Sequence, residues 1–348
     1  MSILPEKSDL LVARALDGDR SAFGELIADP AVLLPARFAT TIPALALEGK
    51  RLGLEIPEAW YRRLIGTAVS GMHLKARLDD VGKTLDSADI PWMPIKGMDL
   101  GYRLWPGPEG RPSCDLDVMV PVPRLAEARA ALSEAGWAGV EKGVAGEAFL
   151  RDEGYNWHAY DTFGTLLELH FRLWGSVPAA FSESVWERSA TAPELGSRAR
   201  RPSWPDAFLI CAVHLWNLPP PHAFLYFREL ELIVRRAGEA VLPEVAESAR
   251  RWGLSLQLHL AALHAARLWE SPGLARLAES LRSDLRLPER LLARSAVARG
   301  VDAASLSQLY AARLLAGREA RMGWKAPFRR LWPHPAVRSR RLAEVRHA

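Results

Sequence analysis

Cysteine is nearly absent. Two residues, Cys114 and Cys211, in a chain of 348 cannot build a disulfide framework or a zinc set. No run of eighteen apolar residues occurs, so no membrane-spanning helix is expected. The first residues lack a basic stretch followed by an apolar core, which excludes a secretory signal from the expectation and points to a reducing, cytoplasmic location. No fixed-period repeat, helix-turn-helix or aromatic-rich sheet signature is present, so nothing in the pattern speaks for DNA as a partner. What remains has ordinary globular proportions, 49% hydrophobic and 25% charged, at a net charge of +4. A chain this long can bury a substantial core divided among two or three units.

Chemistry concentrates between Ile90 and Trp174. A short apolar segment, Ile90 to Ile95, ends at Lys96-Gly97, and a helix is expected from Met98 to Leu104. A strand, a tight turn and a helix start present backbone N–H groups able to hold a phosphate, and Lys96 adds a positive charge. Arg111 stands four residues before Asp115, close enough to serve an anionic ligand. Asp115 and Asp117 then enter the apolar run Val118 to Val120. Period-two alternation predicts a strand over Leu116 to Val120, with both carboxylates on one face and Leu116 and Val118 on the other. Adjacent carboxylates repel unless a cation lies between them, and Mg²⁺ takes hard oxygen ligands of this kind. A solvated strand edge carrying two acids is the plain alternative. A second alternating run, Leu166 to Trp174, puts Leu167, Leu169, Phe171 and Leu173 on one face and Glu168, His170 and Arg172 on the other. An ordinary amphipathic strand facing water would read the same way.

Taken in order, the Lys-Gly pair, Tyr102 five residues after the glycine, Arg111, Asp115-Leu-Asp117 and Glu168-Leu-His170 resemble the uncharacterised nucleotidyltransferase family of the DNA polymerase beta-like superfamily. Lys-Gly departs from the Gly-Ser or Gly-Gly usual across that superfamily but is similar to this branch's variant. The resemblance implies an α+β fold, with a small mixed β-sheet flanked by N-terminal and C-terminal helical regions. It implies transfer of a nucleoside monophosphate from an NTP to an acceptor, with release of pyrophosphate. Asp115, Asp117 and Glu168 would bind two divalent ions, Mg²⁺ or Mn²⁺. Lys96, Gly97 and Arg111 would hold phosphates, and His170 and Arg172 would flank the site. It also implies that His214, near the end of an apolar helix, and Arg228, on the next, line the nucleotide pocket. A hydrogen-bonded core histidine and a buried Arg228–Glu231 pair are the structural alternatives.

Around that module the chain reads as helices. The expected divisions are 1–89, helical; 90–174, the α/β module; 175–320, helical; and 321–348, a basic extension. Helices are expected from Ser8, as N-cap, over Ser21 to Ile27, and from Pro57 to Ser87. The long one offers Leu64, Ala68, Met72, Leu74, Leu78 and Leu85 as an inner face. Arg124 to Ala135 is a further helix, closed by Gly136. Strands are expected near Phe149 to Arg151 and Trp157 to Asp161, with His158 and Asp161 as surface residues. From 311 to 348 there are ten Lys or Arg against two Glu. That basic end, with Trp324, Phe328 and Trp332 interleaved, suits a docked segment, nucleic acid or an acidic partner. The acceptor stays open between a small molecule, a peptide or protein, and RNA. Transfer of a pyrophosphate or phosphoryl group is a rival chemistry. A non-catalytic nucleotide-binding or maturation partner is a rival of another class, and a toxin-like transferase acting on tRNA is a third.

Overall fold

The structure, a computed structural model, describes residues 6–33, 38–105, 107, 110–140, 156–173, 177–215 and 223–299. The expected strand at Phe149 to Arg151 and the basic stretch 311–348 lie outside the described residues. In chain order the elements begin with helices α1 (Lys7–Leu16), α2 (Arg20–Ala28), α3 (Ile42–Arg51) and α4 (Glu58–Ser87). Strand β1 (Met93–Pro94), α5 (Gly97–Leu104), β2 (Asp115–Met119), α6 (Leu125–Glu134), β3 (Ala138–Gly139), β4 (Asn156–Tyr160) and β5 (Leu166–His170) follow. Then come α7 (Ala179–Arg188), β6 (Ala190–Thr191), β7 (Arg200–Arg201) and the helices α8 (Trp204–His214), α9 (Ala223–Ala237), α10 (Leu242–Trp252), α11 (Ser255–Trp269), α12 (Pro272–Ser283) and α13 (Leu287–Arg299). This is an α+β fold with a small mixed sheet among helices. No described helix is long and apolar enough to cross a membrane.

The residues fall into two compact units. One is drawn from Met1–His73, Lys96–Ser113 and Trp204–Ala316, the other from Leu74–Ile95 and Cys114–Ser203, each taken over its described residues. The second holds the five-stranded sheet, in the order β1-β2-β5-β4-β3. β2 and β5 run parallel, while β1 on β2, β4 on β5 and β3 on β4 are antiparallel. One face of the three central strands is apolar and closed. Leu116, Val118, Leu167, Leu169 and Ala159 are fully buried and Trp157 nearly so. Trp92, 1% exposed, is buried in this unit. Its indole N–H donates to Asp86 Oδ1 at 2.8 Å, and Asp86 also accepts from the backbone N–H groups of Ser197 and Arg198.

The first unit is helical. The apolar stripes of α8, α9 and α11 meet around Phe208, Phe224, Leu230 and Leu258, all 1% exposed or less. Phe224 sits edge-on to Phe38 and Trp269, with ring centroids 5.3 and 5.7 Å apart.

Local corrections follow from side-chain chemistry. Ser8 is not the cap of α1. Glu6 caps it, in a reciprocal box with Asp9. In α2 it is Asp19 that accepts from the N–H groups of Ser21 and Ala22. Met72 leaves the inner face of α4 and is 70% exposed, while Leu64, Leu74, Leu78 and Leu85 are buried. Steps of four residues drift about 40° each on a helix, so two steps from Leu64 carry Met72 off the stripe. The expected strand from Ile90 joins the sheet over Met93–Pro94, with Trp92 in an isolated bridge to Ala199, while Ile90 N–H closes α4 by bonding to Leu85 O at 2.9 Å. Strand β5 ends at His170, four residues short of Trp174, so Arg172 lies beyond it in a bend.

Candidate active site

Parallel pairing of β2 and β5 fixes which acids meet. Asp117 is opposite Glu168, and Met119 is opposite His170. Antiparallel pairing of β4 sets His158 opposite Glu168 and Asn156 opposite His170. Because side chains alternate between faces, Asp117, Glu168, His170, Asn156 and His158 all project from the face opposite the apolar one. Asp117 is 6% exposed and His170 fully buried. Polar groups at such depth must be paired. His170 Nε2 lies 2.9 Å from Asp117 Oδ1 and 3.3 Å from Glu168 Oε2. An ionised carboxylate can only accept, so against these partners Nε2 carries the hydrogen, and a ring that binds an ion through Nε2 must carry it on Nδ1 instead. Asn156 Nδ2 donates to Glu168 Oε2 at 3.0 Å and lies 2.9 Å from His158 Nε2, which is 3.2 Å from Glu168 Oε1. Glu168 Oε2 thus accepts from Asn156, while Oε1 faces the His158 ring.

One donor atom each from Asp117, Glu168 and His170 falls within 4.8 Å of the other two. Two ligands about 2.1 Å from one ion are at most about 4.2 Å apart, so small side-chain movements gather this trio. Two carboxylates and an imidazole make a set that a divalent ion tolerant of both oxygen and nitrogen suits. Asp115 stands outside the trio, opposite Leu166 and half-buried.

The remaining expected residues are placed as follows. Lys96 caps α5 at φ 55°, ψ −126°, a backbone conformation that a residue with a side chain rarely adopts. It directly follows Ile95, whose N–H donates to Asp117 O at 3.0 Å. Gly97 is the first residue of α5. Arg111 is buried, and Nε and Nη2 donate to Glu229 Oε1 and Oε2 at 2.5 and 3.3 Å. Burial pulls its pKa down, but the Glu229 carboxylate and Tyr226 outweigh that and raise it overall. Arg172, half-buried, lies over the ring of Phe171 at 5.9 Å. His214 sits edge-on to Tyr226 at 4.9 Å. Arg228 does not take Glu231 as its hydrogen-bond partner. Nη1 donates to Asp17 Oδ1 at 2.6 Å and Nη2 to Leu16 O at 3.2 Å. Glu231 instead accepts from Arg235 at 2.9 Å. Cys211 is buried beside Glu229, and burial first, then that carboxylate, pushes its thiol pKa up. Sequence reasoning missed Asn156 and His158 as site residues. The alternation Asn156, His158 and Tyr160 against Trp157 and Ala159 was the available signal.

Residues 36–270 match the family model described as uncharacterised nucleotidyltransferase. The chain belongs to that family. Nucleotidyl transfer is therefore its general activity. No curated protein matches the chain. Among solved structures, the solution structure of the antibiotic-resistance factor ANT(2'')-Ia is similar at 16% identity and a TM-score of 0.37, covering 52% of this chain and 92% of that one. A likeness of that size carries no argument.

Proposed function

We propose that this nucleotidyltransferase moves a nucleoside monophosphate from an NTP to an acceptor with release of pyrophosphate, and that its chemistry depends on divalent metal at the Asp117–Glu168–His170 face. The observation that carries the reading is the register. Asp117 and Glu168 are direct neighbours on parallel strands, with His170 Nε2 within 3.3 Å of a carboxylate oxygen of each. Those three residues would hold the ion, with Asp115 available two residues earlier on the same strand face. When bound, Mg²⁺ or Mn²⁺ supplies neutralising charge for a triphosphate and acidifies a hydroxyl acceptor.

The protein's own groups do the rest. Asn156 and His158 fix the Glu168 carboxylate, which orients it to accept a proton from the acceptor. Lys96 and the Gly97 N–H are the proposed phosphate contacts, and the unusual backbone at Lys96 is the kind of strain kept where a turn must present its groups to a ligand. Arg111 would contribute indirectly, through Glu229. His214, Arg228 and Arg172 remain proposed for nucleotide contact on the family pattern alone.

The test uses NTPs labelled on the α- or the γ-phosphate, incubated with Mg²⁺ or Mn²⁺ and fractions of small molecules, peptides and RNA. The reading expects α-label on the acceptor, pyrophosphate released in equal amount, and neither with Asp117→Asn. Transfer of γ-label alone would establish phosphoryl transfer instead.

A further inference from the structure

In the helical unit, α11, α12 and α13 line a half-open cleft of about 700 Å³ that no step of the proposed reaction uses. Its walls follow helical spacing. His259, Leu263 and Arg267 recur every fourth residue of α11, Ala275, Ala278, Glu279 and Arg282 form one stripe of α12, and Arg290, Ala293 and Arg294 one stripe of α13. Alanine stands at three of the lining positions, Ala278 and Ala293 buried and Ala275 at the exposed rim. The floor is apolar. Leu285 and Ala293, 2% and 6% exposed, belong to a cluster with Leu256 and Leu260, and Leu263 packs against it.

The charge is one-sided. Four arginines line the cleft, and Glu279 is the one acid among its described lining residues. Glu279 is engaged at the exposed rim by Arg282, at 3.1 Å. Among the described residues Arg290 is held by backbone carbonyls, Nε to Leu285 O at 2.7 Å and Nη2 to Ser283 O at 3.2 Å, which orient its charge without a carboxylate to neutralise it. Arg267 Nη1 is buried and finds no hydrogen-bond acceptor among the described residues. A buried guanidinium hydrogen without an acceptor is a standing cost that an anionic ligand would remove. His259 is part of the wall, its Nδ1 turned to Ala278 O at 2.7 Å.

The geometry points to a phosphate monoester on a small apolar body as the ligand of this cleft. The phosphate meets Arg267, Arg290 and Arg294, and the organic part lies against Leu263, Ala275, Ala278 and Leu285. Guanidinium forks match phosphate oxygens in pairs, and a dianion answers several arginines where a carboxylate answers one.

The test is calorimetry of the full chain with phenyl phosphate in the presence of EDTA, which removes any metal-dependent NTP binding. The expected result is saturable binding by the wild type, weakened at least tenfold in Arg267→Gln/Arg294→Gln and unchanged in Asp117→Asn, with circular dichroism showing both variants folded. A parallel arm measures co-sedimentation with vesicles of phosphatidic acid in phosphatidylcholine. Pelleting lost in the same arginine variant, without phenyl phosphate binding, assigns the phosphate to a lipid headgroup. Absence of both signals from folded wild type, or signals unaffected by the arginine substitutions, overturns the proposal. Because the assay excludes metal and NTP, it succeeds or fails independently of the nucleotidyl reading.

Discussion

Replacing Arg111 by Met separates a structural role from a ligand-holding one. Arg111 and Glu229 are 3% and 0% exposed at the side chain and meet through two hydrogen bonds. The single substitution strands the Glu229 carboxylate in the interior, where Trp105 Nε1, 3.4 Å away, is a poor replacement donor. Breaking a buried pair from one side costs about 3–5 kcal/mol. At about 2–4 °C per kcal/mol for a domain of some 200 residues, Tm should fall by about 6–20 °C. Arg111→Met/Glu229→Leu removes both charges together and should recover most of that loss, because replacing such a pair with apolar groups is near neutral or stabilising. The assay is thermal and denaturant unfolding of the four members of the cycle at neutral pH, giving a coupling energy. A single variant within about 0.5 kcal/mol of wild type, or a double variant no better than the single, would refute the reasoning and return Arg111 to direct phosphate binding.

Two glycines of α4 should respond with opposite signs. A Cβ on Gly82 would meet Trp92 Cζ2 at 2.5 Å, and Trp92 is tied to Asp86, so Gly82→Ala should destabilise. The about 1–3 kcal/mol of overpacking exceeds the about 1 kcal/mol gained in helix propensity. Gly66 faces open space, and Gly66→Ala should raise stability by about 0.5–1 kcal/mol, both read from urea midpoints. Lys96→Gly relieves the positive φ, which offsets part of the loss of a buried side chain, and it should lose at least tenfold in NTP affinity by calorimetry. For Asp17, burial pushes the carboxyl pKa up but Arg235 and Arg228 outweigh it and hold it below 3.8. Its contribution is present above that value and lost as pH falls through the lower folded pKa. Asp17→Asn should therefore flatten the acid limb of a Tm-against-pH profile while lowering Tm at pH 7.

The legible parts of this fold were those written in one period. Alternation over Leu166 to His170 and in the Asp115–Met119 strand gave both strands and the face that carries their acids. Which acids meet was not legible. That depends on the parallel register of β2 on β5, which puts Glu168 beside Asp117 rather than Asp115 and brings His170 into the trio. The partners of Arg111 and Arg228, 118 and 211 residues away in sequence, were equally out of reach. Local spacing suggested Arg228 with Glu231, but Asp17 takes the guanidinium. Asn156 and His158 were readable as an alternating pair. They gain meaning only beside Glu168, the residue they hold.

The most direct measurement is calorimetric titration of the folded chain with each NTP, in Mg²⁺, in Mn²⁺ and in EDTA, for wild type and Asp117→Asn/Glu168→Gln. The account predicts metal-dependent binding of at least one NTP, stronger in Mn²⁺ because the donor trio includes an imidazole, and its loss in the double variant. Binding that is indifferent to metal, or that persists in the folded double variant, would contradict it.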